Sequence, residues 1–257
     1  MLIREQVEVL AIEAVEAVVV GGQAGVLRQA IEFSHDLDIL IRPTPENAVR
    51  VRRAVRAITG VDAAEQTILG RDFQQYVDAE TGTEIDVHLK VLALPDFATA
   101  LAHSSEVAFL GQPVRCLELP ALYASKRTDR LRDAVHRQAI EARLRQLVLG
   151  GAIEPDEVVL ACCLDAAVAA LTEIAPQLLP LAASTSQPLL QVRLLAAGAA
   201  PEALSHNPHL HRSVRALLAL ERPTRHKILD HPSRLAALLA RVPLVLPPEG
   251  HHPRPRG

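Results

Sequence analysis

Apolar residues along the first 150 positions recur in two patterns. Short runs at 18–20, 37–41, 74–78, 83–91 and 113–117 have the length and β-branched content of strands. The stretches between them carry apolar residues at helical spacing. The segments 73–78 and 83–89 flank Ala79-Glu80-Thr81-Gly82, a polar stretch ending in glycine, and this predicts a β-hairpin. The segments 107–110 and 113–117 flank Gly111-Gln112 and predict a second one. Past Gly150-Gly151 the strand signals fade. Glu154-Pro155-Asp156-Glu157 puts a proline and acids where a helix N-terminus favours them, which predicts a long apolar helix through 171. Prolines at 176, 180, 188, 201, 208, 223 and 232 then divide an Ala/Leu-rich region into about six helical pieces. The expected architecture is α+β: a mixed sheet with flanking helices over 1–150, an all-α domain over 151–246, and a disordered tail of Pro, Gly, His and Arg over 247–257.

Composition narrows the chemistry. Nearly half of the 257 residues are hydrophobic, enough for a packed core, but aromatics are 2% and Trp is absent, so the core is built of Ala, Leu and Val. That scarcity argues against base stacking on aromatic platforms as a way of holding nucleic acid. The net charge of −3 gives no global basic field for non-specific nucleic-acid binding. Three cysteines (Cys116, Cys162 and Cys163) in no framework spacing read as reduced thiols. The first residues, Met1-Leu2-Ile3-Arg4-Glu5, lack a signal-peptide pattern, and no apolar run reaches the roughly 20 residues that span a bilayer. The expected location is the cytoplasm, with no membrane partner.

Val18-Val19-Val20-Gly21-Gly22 ends an apolar strand in two glycines, and thirteen residues further on comes Asp36-Leu37-Asp38. Strand side chains alternate faces, so Asp36 and Asp38 point the same way. Two adjacent carboxylates repel unless they are solvated or share a divalent cation. A third acid, Asp86, recurs in a similar setting, Glu84-Ile85-Asp86-Val87-His88-Leu89. Mg²⁺ favours carboxylate oxygens together with substrate phosphates, and three converging acids would suit two such ions. Gly21 and Gly22 would let the backbone approach a phosphate closely. A helix beginning near Gln23 would aim its free N–H groups at that phosphate. If the acids do not converge, the motif reads as an exposed strand edge.

The glycine pair, its spacing to Asp36-x-Asp38 and the later apolar-Asp-apolar at Asp86 resemble the polymerase-β-like nucleotidyltransferase superfamily. Leu117-Glu118-Leu119-Pro120-Ala121-Leu122-Tyr123-Ala124-Ser125-Lys126, then Arg127, Arg130 and Asp133, resembles the Lys…Arg…Asp helix of the AbiEii-like and MenT-type enzymes, many of which are toxins of toxin–antitoxin systems and some of which modify tRNA ends. The resemblance covers roughly residues 15 to 145. It implies a Mg²⁺-dependent enzyme, using two ions, that moves a nucleoside monophosphate from an NTP to a hydroxyl acceptor and releases pyrophosphate. The acceptor would be a tRNA end, a protein or a small molecule. Asp36 and Asp38 become metal ligands, and Asp86 a third ligand or the base that activates the acceptor. Lys126 becomes a phosphate contact and Asp133 the residue that orients it or the acceptor. On one helix, Lys126, Arg130, Asp133 and Arg137 would share a polar face, adding Arg130 to the nucleotide-binding set.

The sequence departs from that family at three places. The pair is Gly21-Gly22 followed by Gln23 where Gly-Ser, whose hydroxyl contacts phosphate, is frequent, Phe33-Ser34-His35 precedes Asp36 where a basic residue and Thr or Ser are frequent, and His136 stands about one turn after Asp133 where an acid is frequent. The alternative reading is a nucleotide- or partner-binding protein on the same scaffold with little or no catalysis, acting as a toxin–antitoxin component with a partner protein.

Weaker signals complete the picture. Arg50, Arg52, Arg53 and Arg56 form a basic stretch after Pro45, read first as a solvated helix face and second as a contact for RNA phosphates. His206, His209 and His211 have zinc-like spacing but no nearby Cys or acid, which favours a solvated surface. Cys116, Cys162 and Cys163 read as small core residues. His88 shares a strand face with Asp86 and either reaches the site or caps the sheet.

Overall fold

A computed structural model describes residues 3–164 and 179–246. The expected disordered tail at 247–257, Pro176, and the 165–171 part of the expected long helix lie outside the described residues. The chain divides into two compact units, one running through Ile140 and the other from Glu141 onward.

The first unit is α+β. Its elements in chain order are α1 (Ile3–Ile12), β1 (Ala17–Val19), α2 (Gly21–Leu27), β2 (Leu37–Ile41), α3 (Pro45–Thr59), α4 (Glu65–Gly70), β3 (Phe73–Val77), β4 (Glu84–His88), α5 (Phe97–Ala102), β5 (Ser104–Phe109), β6 (Gln112–Leu117), α6 (Leu119–Ser125) and the start of α7 (Leu131–Leu149). The six strands form one mixed sheet in the order β3-β4-β2-β1-β6-β5. At its centre β2 runs antiparallel to β1 and parallel to β4, while β1 runs parallel to β6. Each margin is an antiparallel hairpin, β3–β4 and β5–β6, as the turn sequences predict.

Burial explains the strand sequences. The central strands are covered on both faces, so they read as continuous apolar runs: Val18, Leu37, Ile39, Leu40 and Ile41 are all buried. The margin strand β3 alternates instead, with Gln74 and Tyr76 inward and Phe73, Gln75 and Val77 outward. The strand expected over 83–91 closes at His88, although Leu89 N–H still donates to the carbonyl of Asp72. The glycine-pair helix begins at Gly21 itself rather than near Gln23, because Gly21 takes up φ +62° and turns the chain directly off β1.

The best-specified helix is α3. Thr44 accepts a hydrogen bond from Asn47 N–H, Pro45 opens the first turn, and Gly60 closes the last at φ +73°. Its face of Val51, Ala54, Val55 and Ile58 is buried. The arginines of the basic stretch pair with acids of the first unit. Arg50 meets Glu16, Arg52 meets Asp62 and Glu65, and Arg53 lies 3.9 Å from Glu13. This is the arrangement of a solvated, salt-bridged face. At the end of α2, Arg28 donates to the carbonyls of Ser105, Cys116 and Leu117 and to the Ser105 hydroxyl, locking it onto β5 and β6.

Among the described residues after Gly151 every regular element is helical. They are α8 (Glu157–Cys163), a 3₁₀ turn at Leu179–Ala183, and helices at Pro188–Ala196, Pro201–Ser205, Arg212–Leu218, Arg222–Leu229 and Pro232–Arg241. The expected long helix begins at Glu157, with Asp156 as its cap. In the second unit Arg193 forms a buried ion pair with Glu141 at 2.9 Å and also donates to the Cys162 carbonyl. Cys116, Cys162 and Cys163 are all buried and unpaired, and burial raises each thiol's pKa (Cys116 to about 11, Cys163 to about 12). His206 contacts the Glu202 carbonyl through Nδ1, and His211 caps the helix that follows it. No histidine of that region belongs to a metal-capable cluster among the described residues. No described helix is long and apolar enough to cross a membrane.

Candidate functional site

The parallel pairing of β2 with β4 puts Asp38 directly beside Asp86. Neighbouring residues in register project to the same face, so the pairing itself brings the two carboxylates together. The same register aligns Leu40 with His88. From that position His88 Nε2 reaches Asp38 Oδ1 at 3.2 Å, which resolves the open reading of His88 in favour of the site. Asp36 sits just before β2 rather than within it. It still reaches the same place: one oxygen each of Asp36, Glu84 and Asp86 lie within 4.8 Å of one another, as do ligand atoms of Asp38, Asp86 and His88. The three predicted acids therefore converge. Glu84 and His88 join them because residues two apart on β4 share Asp86's face.

The glycines serve this cluster in a way the sequence does not display. A Cβ on Gly21 would fall 1.8 Å from Asp38 Oδ2, so the Asp38 carboxylate occupies the space that a side chain at 21 would fill. Gly22 N–H donates to the same oxygen at 3.4 Å. A Cβ on Gly22 would fall 2.3 Å from Ser34 Oγ. Ser34 in turn donates its hydroxyl to Asp36 Oδ1 at 2.9 Å. The loop before β2 thus places a hydroxyl against Gly22. Gln23 is buried inside α2.

A second group forms around Lys126. Lys126 Nζ lies 3.3 Å from Asp133 Oδ1, and Thr128 Oγ1 donates to Asp133 Oδ2. The expectation of one helix carrying Lys126, Arg130, Asp133 and Arg137 on a single face does not hold. Lys126 caps the end of α6, residues 127–130 form a break, and α7 starts at Leu131. Arg137 holds the break closed by donating to the carbonyls of Lys126 and Thr128. Lys126 and Asp133 meet across it. Arg130 is exposed on the rim, and Arg132, which the motif reading passes over, reaches Asp36 Oδ1 at 3.3 Å.

A pocket of about 800 Å³ joins the two groups, and every residue lining it belongs to the first unit. Asp36, Asp38, Asp86 and His88 line it together with Lys126, Arg130, Arg132 and Asp133, and Arg132 bridges the two sets.

The charges differ across the site. Burial works against ionisation of Asp36, but the Ser34 hydroxyl, its own backbone and the Arg132 guanidinium outweigh it and hold its pKa below the ordinary 3.8. Asp86 has only the weaker pull of His88 in its favour. Burial, then the negative charges of Asp38 and Glu84, push it up to about 7. Its Oδ1 is buried without a hydrogen-bond partner among the described residues. His136 is buried with Nδ1 also unpartnered among the described residues. Burial and the cations Lys126 and Arg132 lower its pKa, so the imidazole is neutral at pH 7.

These donors suit a hard divalent cation. All the acids offer oxygen, the β2–β4 register holds Asp38 beside Asp86 with Asp36 and Glu84 close by, and the buried Asp86 Oδ1 has no hydrogen-bond partner among the described residues. No protein-family model matches this chain, and neither does any curated protein or solved structure.

Proposed function

We propose that the protein is a Mg²⁺-dependent nucleotidyltransferase that moves a nucleoside monophosphate from an NTP to a hydroxyl acceptor and releases pyrophosphate. The observation that carries the proposal is the register pairing of Asp38 with Asp86, with Asp36 beside them, across a pocket from Lys126. In this reading the α+β sheet is of the nucleotidyltransferase type.

Asp36, Asp38 and Asp86 would hold the metal. When bound, Mg²⁺ would neutralise the triphosphate and make the acceptor hydroxyl more acidic. Gly21 and Gly22 admit the Asp38 carboxylate and the Ser34 hydroxyl against the backbone and so set the acids in place for the metal. Lys126, paired with the Asp133 that Thr128 holds, lines the same pocket as the acids and would offer a positive charge to the departing pyrophosphate. Arg130 on the rim adds to that field. Asp86 either completes the metal's ligands or, where it does not ligate, accepts the acceptor's proton as the new O–P bond forms at the α-phosphorus and the bond to the β-phosphate breaks.

The alternative, a binding protein on the same scaffold, draws on one observation: Arg132 and His88 already engage Asp36 and Asp38. One experiment separates the two. The protein is incubated with Mg²⁺, each α-labelled NTP and, separately, total cellular RNA, total protein and a small-molecule extract. Label moving to an acceptor, and its loss in Asp38→Ala with an unchanged circular dichroism spectrum, is the expected result. Saturable NTP binding with no transfer to any of these pools would support the binding protein instead.

A further inference from the structure

Arg132 stands where two ligands of this site meet. Its Nη2 lies 3.3 Å from Asp36 Oδ1. The same atom lies 3.5 Å from the point that a Cβ on Gly22 would occupy, so it also fronts the glycine pair. The side chain is 58% exposed, whereas that of Asp36 is 18% exposed. The two partners are therefore unequally held: Asp36 is fixed by Ser34 and its own backbone, and the guanidinium is solvated on a long stem. The backbone beneath Arg132 is anchored, since the next residue, Asp133, is bound by Lys126 and Thr128. The side chain can move while its base does not.

A divalent cation and a guanidinium compete for the same carboxylate oxygen. A cation on Asp36 displaces Arg132 into the pocket that it already lines, beside Gly21 and Lys126. Resting on the metal–triphosphate reading above, we infer that Arg132 is an exchanging counter-ion. It neutralises Asp36 while the acids lack a divalent ion and passes to the triphosphate when one binds, so that metal and nucleotide promote each other's binding. Arg132 is a positioning residue in this scheme. The two roles have opposite signs: without phosphate it hinders the metal, and with phosphate it aids binding.

The test uses the full chain, Mn²⁺ and inorganic tripolyphosphate, a probe that needs no knowledge of the base. Mn²⁺ binding is followed by electron paramagnetic resonance, and binding of the Mn²⁺–tripolyphosphate complex by calorimetry. Arg132→Gln should bind Mn²⁺ alone roughly two- to fivefold more tightly than wild type, the range an exposed ion pair commands, and the complex more weakly by a similar factor. Arg130→Gln removes the same charge from the same pocket without touching Asp36, and should weaken the complex without tightening Mn²⁺. Equal Mn²⁺ affinity in wild type and Arg132→Gln, or the same tightening in Arg130→Gln, would overturn the inference. If wild type binds Mn²⁺ and Asp38→Ala does not, the metal reading survives that outcome. If wild type binds none, both fall together.

Discussion

Asp86 carries the unfavourable side of this site, and replacing it should stabilise the protein. In Asp86→Asn the side chain keeps its shape and loses its charge. The folded-state pKa of Asp86 is raised from 3.8 to about 7, so the folded protein binds this proton more tightly than the unfolded chain does. Its contribution to stability is therefore fullest below about pH 4, declines as pH rises through 7, and is level beyond that. At about 1.36 kcal/mol per pKa unit the full difference is roughly 4 kcal/mol. Water in the open pocket screens the repulsion, and about half of that, roughly 2 kcal/mol, is the expected effect. Other carboxylates titrate over the same range, so the quantity to follow is the gap between variant and wild type. It should be near zero at pH 4, open between pH 4 and 7, and hold at roughly 2 kcal/mol in favour of Asp86→Asn at pH 8.

The protein supplies its own probe. It has two tyrosines and no tryptophan, and both tyrosines, Tyr76 and Tyr123, lie buried in the first unit. Urea unfolding followed by tyrosine emission therefore reports on the unit that holds the acids. Millimolar Mg²⁺ should stabilise the wild type and narrow the gap, because a bound cation removes the repulsion that the substitution removes. A gap that does not change with pH, or an Asp86→Asn variant less stable than wild type at pH 8, would refute the electrostatic account. The variant should also lose transfer activity, the usual exchange of function for stability at a strained site.

Three further outcomes follow from particular contacts. Gly21→Ala puts a methyl within 1.8 Å of Asp38 Oδ2 at φ +62°, and should lower stability by roughly 2 kcal/mol or more and abolish Mn²⁺ binding in the fraction that folds. Across a double-mutant cycle of Lys126→Met and Asp133→Asn, urea unfolding should show a coupling of about 1–2 kcal/mol, because the pair is largely buried; additive effects would mean that it does not act as a pair. Arg28→Met removes donors to three carbonyls and should destabilise by roughly 2–3 kcal/mol in the same assay, with Mn²⁺ affinity unchanged below the unfolding transition.

What the sequence displays here is whatever strand geometry transmits locally. Alternation and apolar runs locate the strands, the turn residues locate both hairpins, and the side-chain period of two puts Asp86 and His88 on one face. The Asp38–Asp86 pairing is not local. It depends on β4 entering parallel to β2, which needs the crossover through α3, α4 and β3 that separates the two strands in sequence. Arg132 is hidden for a related reason: its partner Asp36 is 96 residues away, and nothing in its own neighbourhood marks it.

The region after α6 had a legible signal of another kind. Residues 125–131, Ser-Lys-Arg-Thr-Asp-Arg-Leu, contain neither proline nor glycine, so an uninterrupted helix is the natural reading. Thr128-Asp129 is nevertheless a pair favoured at helix caps, and Thr128 Oγ1 does accept from Arg130 N–H. Arg137 then takes the carbonyls of Lys126 and Thr128, which a continuing helix would have used itself. The interruption has a chemical consequence. Seven positions along an unbroken helix separate two residues by about 10 Å of rise, beyond easy contact for a lysine and an aspartate. Folding the chain back at 127–130 brings Lys126 and Asp133 to 3.3 Å, so the cationic lining of the pocket exists because the helix stops.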